Sequence, residues 1–231
     1  MPPEGSGGKE RRGGRPTRKD AAALTKRLVA TATDLFLKHG FEKTSMDMVS
    51  AEAGISKPTI YARFANKADL FEAAVTELGH RKMRELEAII VPKGDAHERL
   101  HDLARQLLDI MIDPQVIALE RIIAGEAHQF PELAHRMYLE GGERVTAITA
   151  SLLRQLDAYG DRTDEAARLD AQILFGLIVL PPLRRAMLES TAEKALDCAL
   201  LERSIDIFVA GAMGGEARVI PSRSSGALPA S

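Results

Sequence analysis

One cysteine, Cys198, occurs among the 231 residues. A lone thiol excludes an intramolecular disulfide framework and fits a reducing compartment. Tryptophan is absent and aromatic residues make up only 4% of the chain, while Ala and Leu abound, so the composition leans toward helices. Alternation of apolar and polar residues with period two is nowhere sustained between turn signals, which argues against a β architecture. The longest apolar run, Ile173 to Leu183, is interrupted by Pro181 and Pro182 and is too short to span a bilayer. The opening MPPEGSGGKERR lacks the apolar stretch of a secretory signal. The expectation is a cytoplasmic protein with no membrane partner. Motifs of catalysis are missing as well. There is no Gly-rich phosphate loop, no His-Glu-x-x-His helix and no G-x-S-x-G elbow, so neither an enzyme nor a bound cofactor is expected.

Charge is plentiful but unevenly placed. Charged residues are 28% of the chain and apolar ones 45%, as in ordinary globular domains. Residues 1–67 hold 13 Lys and Arg against 7 Asp and Glu, a net of +6, whereas residues 68–231 hold 18 against 26, a net of −8. A basic head on an acidic body is the pattern of a protein whose head meets a polyanion. The competing reading is a solvated basic tail with no partner.

Helical periodicity and its punctuation divide the chain. Residues 1–19, rich in Gly, Pro, Arg and Lys, read as a disordered basic tail. From Asp20 to His39, Leu24, Leu28, Ala32 and Leu35 recur on one face, and Gly40 supplies the stop. A short helix follows from about Ser45 to Ala53, with Thr44 placed as its cap and Asp47 completing an acidic capping box; Gly54 ends it. The third begins at Ser56–Lys57 with Pro58 in its first turn, where a missing N–H costs nothing. Longer segments follow over Asp69–Ile90, Asp95–Ile112, Asp113–Gln129, Pro131–Tyr159, Thr163–Leu188 and Ala192–Ala212, with Gly141-Gly142 a weak point in the fourth of these. Residues 213–231 read as a flexible tail. The fold expected is all-α, with about nine helices.

The short helices of residues 20–64 are joined by a tight turn, Ala53-Gly54-Ile55-Ser56, between the second and third. That spacing is a helix-turn-helix, whose second element enters the DNA major groove. Val49, Ala53, Ile55, Ile60 and Phe64 can close a small core against Leu28, Leu35 and Phe36, which leaves Lys57, Thr59, Tyr61 and Arg63 outside.

The segment from Phe41 to Val75 resembles the DNA-binding domain of TetR-family transcriptional regulators. The resemblance rests on Gly40-Phe41, Thr44, Ala53-Gly54-Ile55-Ser56, Tyr61 and Phe64, Asn66-Lys67 and Leu70-Phe71, and covers about the first third of the chain. It implies a DNA-binding domain over 20–67 and an effector-binding and dimerisation domain over 68–212. It also implies that Lys57 and Thr59, with Ser56 and Pro58 beside them, meet the groove. Lys57 is suited to guanine O6 or N7. Thr44, Tyr61 and Lys67 resemble the family's phosphate-binding residues, which set register rather than sequence. Arg63 is a further contact, with a solvated cation as its competing reading; for Tyr61 the competing reading is packing. Arg15 in the tail either enters an adjacent minor groove or adds nonspecific phosphate attraction.

The same resemblance implies a homodimer formed by the helices at 163–188 and 192–212, through Leu169, Ile173, Leu177 and Leu180 on one and Leu196, Leu200, Ile205 and Phe208 on the other. An operator of double-stranded, palindromic DNA would match that symmetry. A largely apolar small-molecule effector would lie among Met111, Ile112, Ile122, Ile123, Phe130, Met137, Tyr138 and Phe175, residue types that suit an adaptable pocket and equally suit plain core. His97 and His101 stand four apart, a chelating spacing, but no third ligand accompanies them in sequence and no metal is expected. The alternative for the whole chain is a helical small-molecule-binding protein or enzyme with no specific DNA target.

Overall fold

The computed structural model describes residues 18–91, 93–156, 162–189 and 198–213. Ten α-helices and no strand occur among them: α1 (Arg18–Lys43), α2 (Met46–Ala53), α3 (Lys57–Tyr61), α4 (Lys67–Glu87), α5 (Ala96–Met111), α6 (Pro114–Glu126), α7 (Pro131–Leu153), α8 (Asp164–Ile178), α9 (Leu180–Leu188) and α10 (Cys198–Met213). They fall into two compact units, residues 1–77 and 78–231. The division lies inside α4 rather than at residue 67, because Leu70, Phe71, Ala74 and Val75 are buried in the head core. No single helix among the described residues is long and apolar enough to cross a membrane.

In the head, Leu28, Val29, Ala32 and Phe36 of α1 are buried with Val49, Ile55 and Ile60. Three aromatic rings close this core. Phe71 stands edge-on to Phe36 with centroids 5.1 Å apart, and tilted against Phe41 at 4.9 Å. Gly40 interrupts α1 with φ 80° and ψ 173°, a region open almost only to glycine, and this reversal turns Phe41 into the core. A Cβ at Gly40 would meet nothing within 4 Å, so the backbone angle alone demands glycine. Gly40→Ala is therefore expected to destabilise the head by about 1–3 kcal/mol. Urea unfolding followed by circular dichroism checks this; an unchanged midpoint would show that the turn relaxes freely.

The capping role read from sequence for Thr44 falls to its neighbour. Ser45, not Thr44, caps α2, its hydroxyl accepting from Met48 N at 3.2 Å. Thr44 is buried and donates its hydroxyl to Gly40 O at 2.8 Å. Gly54 (φ 63°, ψ 34°) closes α2 in the left-handed conformation, its N–H reaching Ala51 O and Ser50 O.

In the body unit, local caps place the helix starts. Asp95 accepts from His97 N and Glu98 N, Asp113 from Gln115 N, and Thr163 from Ala166 N. The stretch 163–188, expected as one helix, is two. Pro181 and Pro182 lack N–H groups and clash with carbonyls a turn earlier, so the chain breaks at Val179 and bends by 40°. By contrast α7 runs unbroken through Gly141 and Gly142. That stretch is flanked by ion pairs, Arg144 to Glu87 at 2.7 Å and Arg168 to Glu143. The core joins Leu100, Leu103 and Leu107 of α5, Leu152 and Leu153 of α7, Ala171, Leu174 and Ile178 of α8, and Leu201, Ile205 and Phe208 of α10.

Two polar clamps tie elements of the body together. Lys82, buried, reaches Glu85 at 2.9 Å and the α6 cap Asp113 at 3.4 Å. Arg121 of α6 donates to Ala186 O, Met187 O and Glu189 O at 2.6–2.9 Å, a cation set on the carbonyl end of α9, where the helix dipole favours it.

Candidate nucleic-acid interface

α3 has five residues and one fully buried side chain, Ile60. With so little apolar anchorage, it is held by its flanks. Ile55 is buried before it, Ile60 N and Phe64 N close turns on Ser56 O and Ile60 O, and Ala65 N donates to Asp69 Oδ2 after it. Pro58 lies in its first turn and is exposed, as are Ser56 and Lys57. Ser56 Oγ and Thr59 Oγ1 share a hydrogen bond of 2.8 Å, and Thr59 is half-buried. Tyr61 is 48% exposed, with about half of its surface open to solvent. One outward surface thus carries Ser56, Lys57, Pro58 and Tyr61.

Three cation and hydroxyl positions behave differently from their sequence-based expectation. Arg63 turns inward: Nε donates to Thr25 Oγ1 at 3.0 Å and Nη1 to Thr59 O at 2.9 Å, bracing α3 against α1. Lys67 donates to Phe41 O at 2.9 Å and Glu42 O at 3.3 Å, with its ammonium 4.1 Å from the centre of the Phe41 ring. It adds a donor to carbonyls of the last turn of α1, which a helix end leaves short of helical partners; Phe41 O also accepts from Thr44 N at 3.3 Å. Thr44 is 1% exposed with its hydroxyl bonded inside, so that side chain is closed to a phosphate in this conformation. Arg15 lies outside the described residues.

Sequence patterning missed one member of this surface. Asp47, in the first turn of α2, places Oδ1 2.5 Å from Lys57 Nζ. An acid ten residues from a lysine carries no periodic signal; the turn at Gly54 brings them together.

In the body, the residues singled out as pocket lining divide. Met111 is buried in the main core, Phe175 and Ile112 pack partly buried against it, and Ile122, Ile123, Phe130 and Met137 are half-buried. Tyr138 is 80% exposed and lines no interior of this chain: it sits on the outward side of α7, one residue past Met137. Two polar groups interrupt the apolar interior. Thr149 Oγ1 is buried without a hydrogen bond among the described residues, and burial pushes the Glu120 carboxyl above its usual range. His97 and His101 pair with acids on α10, with Asp206 at 3.1 Å and Glu202 at 2.7 Å. No group of three or more potential ligands that could hold a metal occurs among the described residues.

The last helices also shift one set of expectations. Leu169, Ile173, Leu180 and Leu200 are exposed, but Ile205 and Phe208 are buried at 0% and 3%, in the core of the unit. Ile207, 51% exposed, stands on the outer face instead, seven residues after Leu200. Leu177 is half-buried and Leu196 lies outside the described residues.

These features agree with comparisons to known proteins. Residues 28–74 match the family model for bacterial regulatory proteins of the tetR family, and residues 98–211 match that for the C-terminal domain of AefR-like transcriptional repressors. A solved TetR-family transcriptional regulator from Mesorhizobium loti superposes with a TM-score of 0.73 at 29% identity, over 84% of this chain and 98% of that one. The flavonoid-responsive regulator FrrA is 32% identical, with a TM-score of 0.57 over 81% of this chain and 96% of its own. The transcriptional repressor SCO4008 of Streptomyces coelicolor is 32% identical over 160 residues, 68% of this chain and 67% of that protein. Coverage of other curated relatives varies, with 40% of YhgD of Bacillus subtilis and 81% of the repressor BepR of Brucella suis spanned, for example. With a helix-turn-helix head, a helical body and family matches over both, the chain belongs to the TetR family of DNA-binding transcriptional regulators.

Proposed function

We propose that this regulator is a repressor that holds a palindromic operator as a homodimer and releases it when a small, largely apolar molecule enters its body. The observation that carries the DNA-binding face is α3, a helix with Ile60 as its one buried anchor and with Lys57, Pro58 and Tyr61 turned to solvent. Lys57 reads base edges in the major groove, and Tyr61 meets the backbone. Leu169, Ile173, Leu180, Leu200 and Ile207 form the dimer face. Half-buried Ile122, Ile123, Phe130, Met137 and Phe175 supply the adaptable apolar surface for an effector. The flavonoid response of FrrA makes flavonoids the first class to try. Lys82, bridging α4 to the cap of α6, and Arg121, bridging α6 to α9, are the links through which an altered α6 shifts the body between two states.

The test is binding to DNA from upstream of the protein's own gene. Wild type is expected to prefer it over random duplex, with affinity falling steeply as salt rises. Lys57→Ala and Tyr61→Ala are each expected to weaken operator binding by roughly tenfold or more, at about 1–3 kcal/mol per lost contact, with unchanged circular dichroism. Lys67→Ala is not an equivalent probe, because it also removes contacts that hold α1. No preference of wild type for any such fragment would sink the proposal.

A further inference from the structure

A carboxylate beside the lysine that reads DNA calls for an explanation, because it repels phosphate. Asp47 and Lys57 lie 2.5 Å apart, 69% and 49% exposed. An ion pair so open contributes only about 0–1 kcal/mol to stability, and α2 is already capped by Ser45. The pair therefore does little for the fold that the cap does not do. What it presents is a cationic donor and an anionic acceptor side by side, at the junction of the two helix-turn-helix elements.

The major-groove edge of a G·C pair is the complement. Guanine O6 and N7 are adjacent acceptors, and the cytosine N4 amino group beside them donates. In an A·T pair the amino donor separates the two acceptors, and the thymine methyl occupies the far side. We infer that Lys57 and Asp47 act together as the reader of a G·C pair, the ammonium on guanine and the carboxylate on cytosine, with Asp47 the specificity-determining member. This rests on the placement of α3 in the major groove proposed above. On DNA lacking that pair, Asp47 works against binding: it holds the ammonium away from phosphates and faces the polyanion with a negative charge. Discrimination rises because nonspecific affinity falls.

The test selects binding sites from a pool of random duplexes with the full chain, then titrates the best site at several salt concentrations. Wild type is expected to enrich a G·C pair in each half-site, and its replacement by A·T to weaken binding roughly tenfold. Asp47→Asn is expected to bring that preference to within about threefold, to bind random duplex more tightly, and to steepen the salt dependence by about one phosphate contact. Asp47→Glu retains the preference. Asp47→Ser serves as a second uncharged variant able to sit in a helix first turn, and melting curves confirm that each variant folds. If Lys57→Ala loses operator binding while both uncharged variants keep the wild-type base preference and salt slope, the pairing inference is overturned and the DNA face stands. If Lys57→Ala binds like wild type, the DNA-face proposal and this inference fall together.

Discussion

Phe71→Ala is expected to destabilise the head unit by about 3–5 kcal/mol, the range for removing a large buried aromatic side chain. Phe71 is 1% exposed and touches both other rings of the head core, at 5.1 Å and 4.9 Å between centroids. Edge-on and tilted contacts of this kind add about 0.5–1.5 kcal/mol each beyond simple burial. The neighbours cannot collapse into the space without losing other contacts. Phe41 is turned inward by the glycine-dependent reversal at Gly40 and is covered by the Lys67 ammonium; Phe36 is locked in the α1 face. Since whole domains are stable by only about 5–15 kcal/mol, such a loss threatens the head itself. Urea unfolding monitored by circular dichroism measures it, with Phe71→Leu as the milder comparison. A loss below about 1 kcal/mol would show that the ring cluster does not organise the unit.

The second large effect concerns the exposed apolar face of α8–α10. On the homodimer proposed above, the double variant Ile173→Glu with Ile207→Glu is expected to be monomeric and to lose tight operator binding with it. Both side chains are about half exposed in the single chain, at 53% and 51%, so neither substitution disturbs the core of the unit. In a two-fold dimer each change occurs twice, so four carboxylates enter the contact. Burying an unpaired charge costs several kcal/mol, and each 1.4 kcal/mol is tenfold in affinity. The dimer dissociation constant is therefore expected to rise by at least about a thousandfold. Sedimentation velocity reads this directly, and an unchanged melting temperature of the monomer would separate it from misfolding. A monomeric wild type, or a double variant that still dimerises, would exclude this face.

How much of this was legible in advance depends on the range over which each feature is decided. Gly40, Gly54, Asp95, Asp113-Pro114 and Thr163 mark turns and caps settled within one helical turn, so their residue types alone announce them. The short helix from Lys57 was legible for the same reason: an N-terminal proline, one deeply buried side chain and a polar remainder describe a surface element whatever surrounds it. The family resemblance of residues 41–75 rested on that local chemistry.

Features decided by rotation about a helix axis, or by the reach of a long side chain, were not legible. Ile205 and Ile207 are equally apolar and two positions apart, yet adjacent helix positions differ by about 100° in direction. Only the packing of α10 on the core determines that Ile205 turns in and Ile207 out; the same holds for Met137 and Tyr138. Arg63, Lys67 and Lys57 can each extend several ångströms to partners far away in sequence. Their partners proved to be Thr25, the carbonyls of Phe41 and Glu42, and Asp47. The amino-acid sequence by itself determined that a helix-turn-helix is present and which short helix faces outward, because hydrophobic period and turn chemistry are local. Tertiary structure alone decided which cations remain available to DNA and which are taken up within the head, because a charged side chain binds the nearest complementary group, and nearness in space is set by the fold.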